Sequence, residues 1–190
     1  MMLDTLNAMT EEQAETSLLA VCGSRRWVSA MLKARPFESV SALHERAEDT
    51  WARLAREDWL DAFAAHPRIG DTPGREATWS RAAPSQSWSR TEQRGMAGAS
   101  DATRARVADL NRHYEQRFGY IFIICATGRT ADEMVQALET RLSHTPEEEL
   151  PIAVSEQAKI IRVRLDKLLQ ANAATVERPP QRKVKKACRP

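Results

Sequence analysis

Among the four histidines of the chain, His66 alone stands where its neighbours suggest chemistry. It closes a helical run over residues 59–65 and precedes Pro67, whose ring disfavours helical geometry at the residue before it. The imidazole is thus carried at a helix end, at the mouth of residues 67–87, a stretch punctuated by Gly70, Pro73, Gly74 and Pro84. With an unperturbed pKa near neutrality, a histidine so placed can accept or donate a proton. The same placement also fits a structural histidine stabilised by the helix dipole.

Ser89, Glu92 and Gln93 form a second group. Ser89-x-x-Glu92 has the form of a capping box, a purely structural device. Glu92-Gln93 also sets an acid beside an amide at a helix start, where free N–H groups seat an anion or a polar oxygen of a substrate. Arg164 is a third candidate, at one edge of an apolar helical stripe with Arg162 at the other. It can snorkel to water, or present its planar fork to a carboxylate or ureido group.

Other chemistries lack their patterns. His44 and His113 lie in charged helical runs, and no two histidines stand four apart around a carboxylate as in zinc hydrolases. G-x-S-x-G, the P-loop and G-x-G-x-x-G are absent. Cys22, Cys125 and Cys188 are scattered singly, which argues against a disulfide framework or a zinc ribbon.

Positioning these groups falls to helices. Thr10-x-x-Gln13, Thr130-x-x-Glu133 and Thr145-Pro146-x-Glu148 repeat the capping-box form, the last with proline at the favoured first helical position. The spacing predicts helices near 11–22, 25–34, 40–55, 57–65, 90–97, 101–118, 131–143 and 146–170. Leu43, Ala47, Trp51 and Leu54 mark the buried face of the third. In the last, Val154, Ala158, Ile161, Leu165 and Leu168 lay down one apolar stripe, long enough for the central strut of a bundle. Residues 120–125 (YIFIIC) alone read as extended, too little for a sheet. The expected fold is therefore all-α: a single-domain bundle of about eight helices over residues 1–170. Residues 171–190, with Arg178-Pro179-Pro180 and a lysine cluster, read as a disordered basic tail.

Composition narrows the class. A chain of 190 residues, 42% hydrophobic and 28% charged, can bury a core without disulfides or metal. Six basic residues against one acid lie in residues 177–190, leaving 22 bases and 25 acids, a net of −3, in residues 1–176. A nucleic-acid binder carries its positive charge on the folded face instead, so no nucleic-acid partner is expected. The longest apolar run, residues 120–126, is too short to span a bilayer. Residues 1–10 lack the basic-then-apolar order of a signal peptide. A cytoplasmic protein with no membrane partner is expected.

Together the blocks are more specific than any one of them. His66-Pro67-Arg68-Ile69-Gly70, Ser89-x-x-Glu92-Gln93-x-Gly95-Met96, Phe118-Gly119-Tyr120-x-Phe122-Ile123-Ile124-Cys125-Ala126 and Glu156-Gln157-x-Lys159-Ile160-x-x-x-Arg164-Leu165 closely resemble the 2-oxo-4-hydroxy-4-carboxy-5-ureidoimidazoline (OHCU) decarboxylases. The likeness runs from about residue 6 to residue 169. It implies an all-helical homodimer, without metal or organic cofactor, that converts OHCU to (S)-allantoin in urate degradation with loss of CO2. It further implies that His66 is the main catalytic residue and that Glu92 lines the pocket; from the proton transfers required, His66 and Glu92 are expected to form a hydrogen-bonded acid–base pair. Pro67, Ser89, Gln93, the segment Phe122, Ile123, Ile124, Cys125 and Ala126, and Arg164 would bind substrate. The stretch 71–88 is longer and richer in Arg, Trp and Pro than the family leads one to expect, and suits a lid.

Two rivals stand beside this. A non-catalytic helical interaction protein would use its basic tail on an acidic partner or RNA, and would lose that partner on removal of residues 172–190. A related lyase or hydrolase would use the same site on another ureido acid.

Overall fold

The computed structural model describes residues 2–70, 88, 89 and 91–176. The expected lid falls largely within residues 71–87, and the expected disordered tail lies mostly in residues 177–190, both outside the described residues. Eight α-helices carry the described part: α1 (Met2–Ala8), α2 (Glu11–Val21), α3 (Arg25–Lys33), α4 (Val40–Ala52), α5 (Arg56–Ala64), α6 (Asp101–Phe118), α7 (Ala131–Arg141) and α8 (Pro146–Val176). No strand occurs among the described residues. The fold is all-α.

The predicted starts hold at three of the four capping boxes. Thr10 accepts from the Gln13 N–H at 3.3 Å, and the Gln13 side chain accepts from the Thr10 N–H at 3.1 Å. Thr130 with Glu133, and Thr145 with Glu148, make the same reciprocal pair. Each satisfies two N–H groups that a helix start leaves orphaned. Ser89 departs from the prediction. It is itself helical, its hydroxyl accepts from Arg164, and the expected helix over 90–97 is instead a short helical turn followed by a 3-10 helix at Arg94–Met96. Helix α1 was not expected, and α8 continues past residue 170 to Val176.

Two apolar cores result. The first joins α1–α5 to α8 through Leu18, Trp27, Met31, Leu43, Phe63 and Leu165, among others. Three indoles here also satisfy their N–H groups: Trp27 on Ala47 O, Trp51 on Val154 O and Trp59 on Trp51 O, at 2.9–3.1 Å. The second core joins α6 and α7 through Val107, Tyr114, Phe118, Met134 and Leu138. Full burial of each large apolar side chain contributes about 1.5–3 kcal/mol, so both clusters are substantial.

Residues 120–126 run between the two cores without helical hydrogen bonding. Gly119, left-handed at φ +80°, ends α6 and turns the chain out of it. Side chains then alternate as they do along a strand: Phe122, Ile124 and Ala126 enter the second core, while Ile121, Ile123 and Cys125 pack on the first. This alternation is the reason an extended segment survives in a helical protein.

Candidate active site

His66 follows the C-terminus of α5, its N–H donating to Phe63 O at 3.0 Å. Three of the next four residues are pinned from outside. Arg68 lies on both oxygens of Glu115 of α6, at 2.5 and 2.8 Å. Asn111 donates to Ile69 O at 3.0 Å, and the Gln93 side chain accepts from the Gly70 N–H at 3.2 Å. The His-Pro-Arg-Ile-Gly block is thus a strap held against α6 and Gln93, with His66 fixed at its near end.

Glu92 meets α8. Arg164 donates through Nε to Oε1 at 3.1 Å and through Nη2 to Oε2 at 2.9 Å, and Nη2 also reaches the Ser89 hydroxyl at 3.0 Å. Lys167 adds a second cation, 2.9 Å from Oε1. Gly95 completes the turn: a Cβ there would stand 2.0 Å from the Arg129 carbonyl oxygen, so no side chain fits.

The far wall is the extended segment. Glu156 of α8 accepts from the Cys125 N–H at 2.8 Å, and Arg141 donates to Ile123 O at 2.7 Å. Arg141 is itself held by buried Glu149, which also takes the Tyr114 hydroxyl and His144 Nδ1. A fully satisfied buried network of this kind rigidifies what it touches.

Between strap, turn and segment lies a cleft of about 420 Å³, part of it open to solvent. Its lining includes His66, Pro67, Ser89, Glu92, Gln93, Phe122, Ile123, Ile124, Cys125 and Ala126. Every expected site residue but one therefore faces the same space. The exception is Arg164, which is 4% exposed and stands behind Glu92 and Ser89. It neither snorkels nor lines the cleft. The expected His66–Glu92 hydrogen bond is also not formed. Both Glu92 oxygens are taken by Arg164 and Lys167, because a buried carboxylate is best compensated by cationic donors. His66 Nε2 is enclosed and has no hydrogen-bond partner.

The surroundings set the charge states. Burial alone would raise the Glu92 carboxyl, but the hydrogen bonds and charges of Arg164 and Lys167 outweigh it and hold the group below the usual carboxylate range. Burial pushes His66 down to about 3, the Arg164 charge adds to this, and Glu92 and Gln157 oppose it. At neutral pH the site holds a neutral imidazole and an ionised carboxylate. Cys125 is pushed up, chiefly by burial, so it presents a thiol. Among the described residues no three His, Cys, Asp or Glu side chains come together in a way that could hold a metal ion.

The sequence reasoning missed Ile69, Thr127, Ile160 and Val163 in the lining, and Lys167 and Glu156 as supports. One signal was available. Glu156, Ile160, Val163 and Lys167 recur at four, three and four residues, which places them on one face of α8.

Comparison with known proteins agrees with this geometry. The family model described as OHCU decarboxylase matches residues 7–166. The chain belongs to the OHCU decarboxylase family. Among its relatives is the uric acid degradation bifunctional protein TTL of Arabidopsis thaliana, 37% identical over 169 residues, covering 88% of this chain and 51% of that protein. This family member thus spans about half the length of that bifunctional relative. The 2-oxo-4-hydroxy-4-carboxy-5-ureidoimidazoline decarboxylase of Xenopus laevis is 28% identical over 164 residues, covering 86% of this chain and 91% of its own. A crystal structure of OHCU decarboxylase in the presence of (S)-allantoin superposes with a TM-score of 0.69 at 35% identity, over 85% of this chain and 99% of that one. Every lining residue falls inside the stretch matched by the family model, and residues 177–190 fall outside it. No helix among the described residues is long and apolar enough to cross a membrane.

Proposed function

We propose that this protein decarboxylates OHCU to (S)-allantoin as a step of urate degradation, without a cofactor. The observation that carries this is the convergence of His66, Glu92, Gln93 and residues 122–126 on one cleft in a chain of this family. His66 and Glu92 are the catalytic residues. Pro67, Ser89, Gln93 and residues 122–126 contact the substrate, with Arg164 acting through Glu92.

The chemistry suits these charge states. When the bond to the carboxylate breaks, CO2 leaves and its electron pair forms a double bond between the hydroxyl-bearing and ureido-bearing ring carbons. The ring imine nitrogen takes up a proton. The resulting enol gains a proton on the ureido carbon and loses one from its hydroxyl, giving allantoin. The adjacent imine serves as the electron sink, so what the protein adds is orientation and proton transfer to one face. A neutral His66 can accept the hydroxyl proton and return a proton to carbon. Glu92, held ionised, accepts hydrogen bonds and does not donate. The Gln93 amide and the walls of residues 122–126 fix the face presented.

Homodimerisation and a cytoplasmic location belong to the same proposal, supported by the family resemblance. The net negative charge of residues 1–176 supports the absence of a nucleic-acid partner.

The test generates OHCU in the cuvette by oxidising urate and hydrolysing the first product, then follows circular dichroism for allantoin. Added protein should accelerate the (S) signal above the spontaneous background. His66→Asn, with unchanged thermal unfolding, should lose about 100-fold or more of that rate. A folded His66→Asn protein at near wild-type rate would remove His66 from the mechanism, and no acceleration by the unaltered protein would overturn the assignment.

A further inference from the structure

Three polar atoms near the cleft have no hydrogen-bond partner although they are enclosed: His66 Nε2 and both heteroatoms of the Gln157 side-chain amide. Gln157 is 0% exposed. Buried polar atoms are nearly always paired, and an amide left without partners in a packed core marks a place where it acts on something else. The neighbours of Gln157 on α8 all serve the cleft. Glu156 holds the Cys125 N–H, Ile160 lines the wall one turn later, and Arg164 holds Glu92 two turns later.

The amide's neighbour is the His66 ring, whose Nε2 is likewise enclosed and unpartnered. Gln157 lies close enough to favour the protonated ring, in the same direction as Glu92 and against burial and Arg164. Neither heteroatom is hydrogen-bonded, and the terminal torsion of glutamine is soft, so the amide can turn without losing a bond. No other described side chain is placed on Nε2.

We propose that Gln157 is a positioning residue for His66: its amide oxygen accepts from Nε2–H, which orients the ring and leaves the Nδ1 lone pair for the substrate. An unheld imidazole would divide between two tautomers, and only one puts a base at a given point in space. A buried glutamine suits this task better than a carboxylate, because it fixes the tautomer without adding charge and so keeps the ring neutral. The proposal rests on His66 being the proton-transfer group of the reaction above.

Two variants test it in the full chain, Gln157→Met and Gln157→Glu, each first shown to unfold as cooperatively as the unaltered protein. Nitrogen-15 NMR of the histidine rings reads the tautomer of His66 without any substrate. The unaltered protein should show His66 in the Nε2–H form, and Gln157→Met should mix the two forms. In the decarboxylation assay Gln157→Met should lower kcat by about 10- to 100-fold with little change in KM. Gln157→Glu should restore the single tautomer and move the acid limb of the kcat profile upward, because a carboxylate on Nε2 favours the imidazolium. Unchanged tautomer and acid limb in both folded variants would overturn the proposal. If Gln157→Met does not fold, the tautomer and acid limb of Gln157→Glu decide alone. A tautomer that responds to Gln157 in a protein without decarboxylase activity would uphold the pairing and reject the proposed function. An active protein whose tautomer ignores Gln157 would do the reverse.

Discussion

Arg164 and Glu92 meet fork to carboxylate, 72 positions apart in the chain, with both side chains buried and the two contacts at 3.1 and 2.9 Å. This pair welds α8 to the turn that carries Ser89, Glu92 and Gln93. It also decides that Glu92 is an anion, since a carboxylate flanked by two cations gives up its proton readily.

Removing the guanidinium should therefore cost stability out of proportion to its size. Arg164→Met leaves Glu92 buried with Lys167 as its only cation among the described residues, and breaking a buried pair from one side costs about 3–5 kcal/mol. Urea denaturation should show a loss near the lower figure, because Lys167 still compensates part of the charge. A loss below about 1 kcal/mol would mean that the pair is exposed to water in solution.

Stability should also depend on pH through His66. Its pKa is 6.5 when unperturbed and about 3 in the folded protein. Between these values the unfolded chain holds the extra proton, so stability rises with pH and is lost as pH falls from about 6.5 toward 3. The slope is at most about 1.4 kcal/mol per pH unit. Glu92 has the same sign: its depressed pKa stabilises the fold above the ordinary carboxylate value, and that contribution fades as pH falls through the folded value. His66→Asn should flatten the dependence between pH 7 and pH 5 in urea melts. An unchanged slope in that variant would place the titration elsewhere.

Glu156 fixes the cleft wall by accepting from the Cys125 N–H. Glu156→Ala leaves that donor unsatisfied in a half-buried position, a loss of about 1–3 kcal/mol. Because the freed backbone lines the cleft, KM for the ureido substrate should rise as well. Amide exchange at Cys125 reads the local effect directly, and protection equal to wild type would show that the bond is dispensable.

Gly95 answers to sterics alone. A methyl group there would meet the Arg129 carbonyl oxygen at 2.0 Å, a backbone atom that cannot swing aside. Gly95→Ala should lower the thermal midpoint by several degrees and weaken activity through the adjacent Gln93–Glu92 turn, whereas Gly98→Ala, with open space around it, should do neither. Equal behaviour of the two variants would show that the turn adapts.

The amino-acid sequence by itself determined most of the helices and most of the residues that line the cleft. Caps at Thr10, Thr130 and Thr145 are local, since the side chain and the N–H it satisfies lie three residues apart. The buried faces of α4 and α8 were legible for the same reason, as a period of 3.6 is visible within one helix. The His-Pro and Ser-x-x-Glu-Gln blocks carried the family likeness as short strings. What each polar group does was decided only in three dimensions. Ser89-x-x-Glu92 spells a capping box, yet Ser89 and Glu92 face Arg164 and Lys167 of a helix more than seventy residues away, and a buried carboxylate takes charged donors over its own backbone. The same long-range packing lowers the His66 pKa, which no neighbour in the sequence could have signalled, because desolvation depends on everything that surrounds the ring.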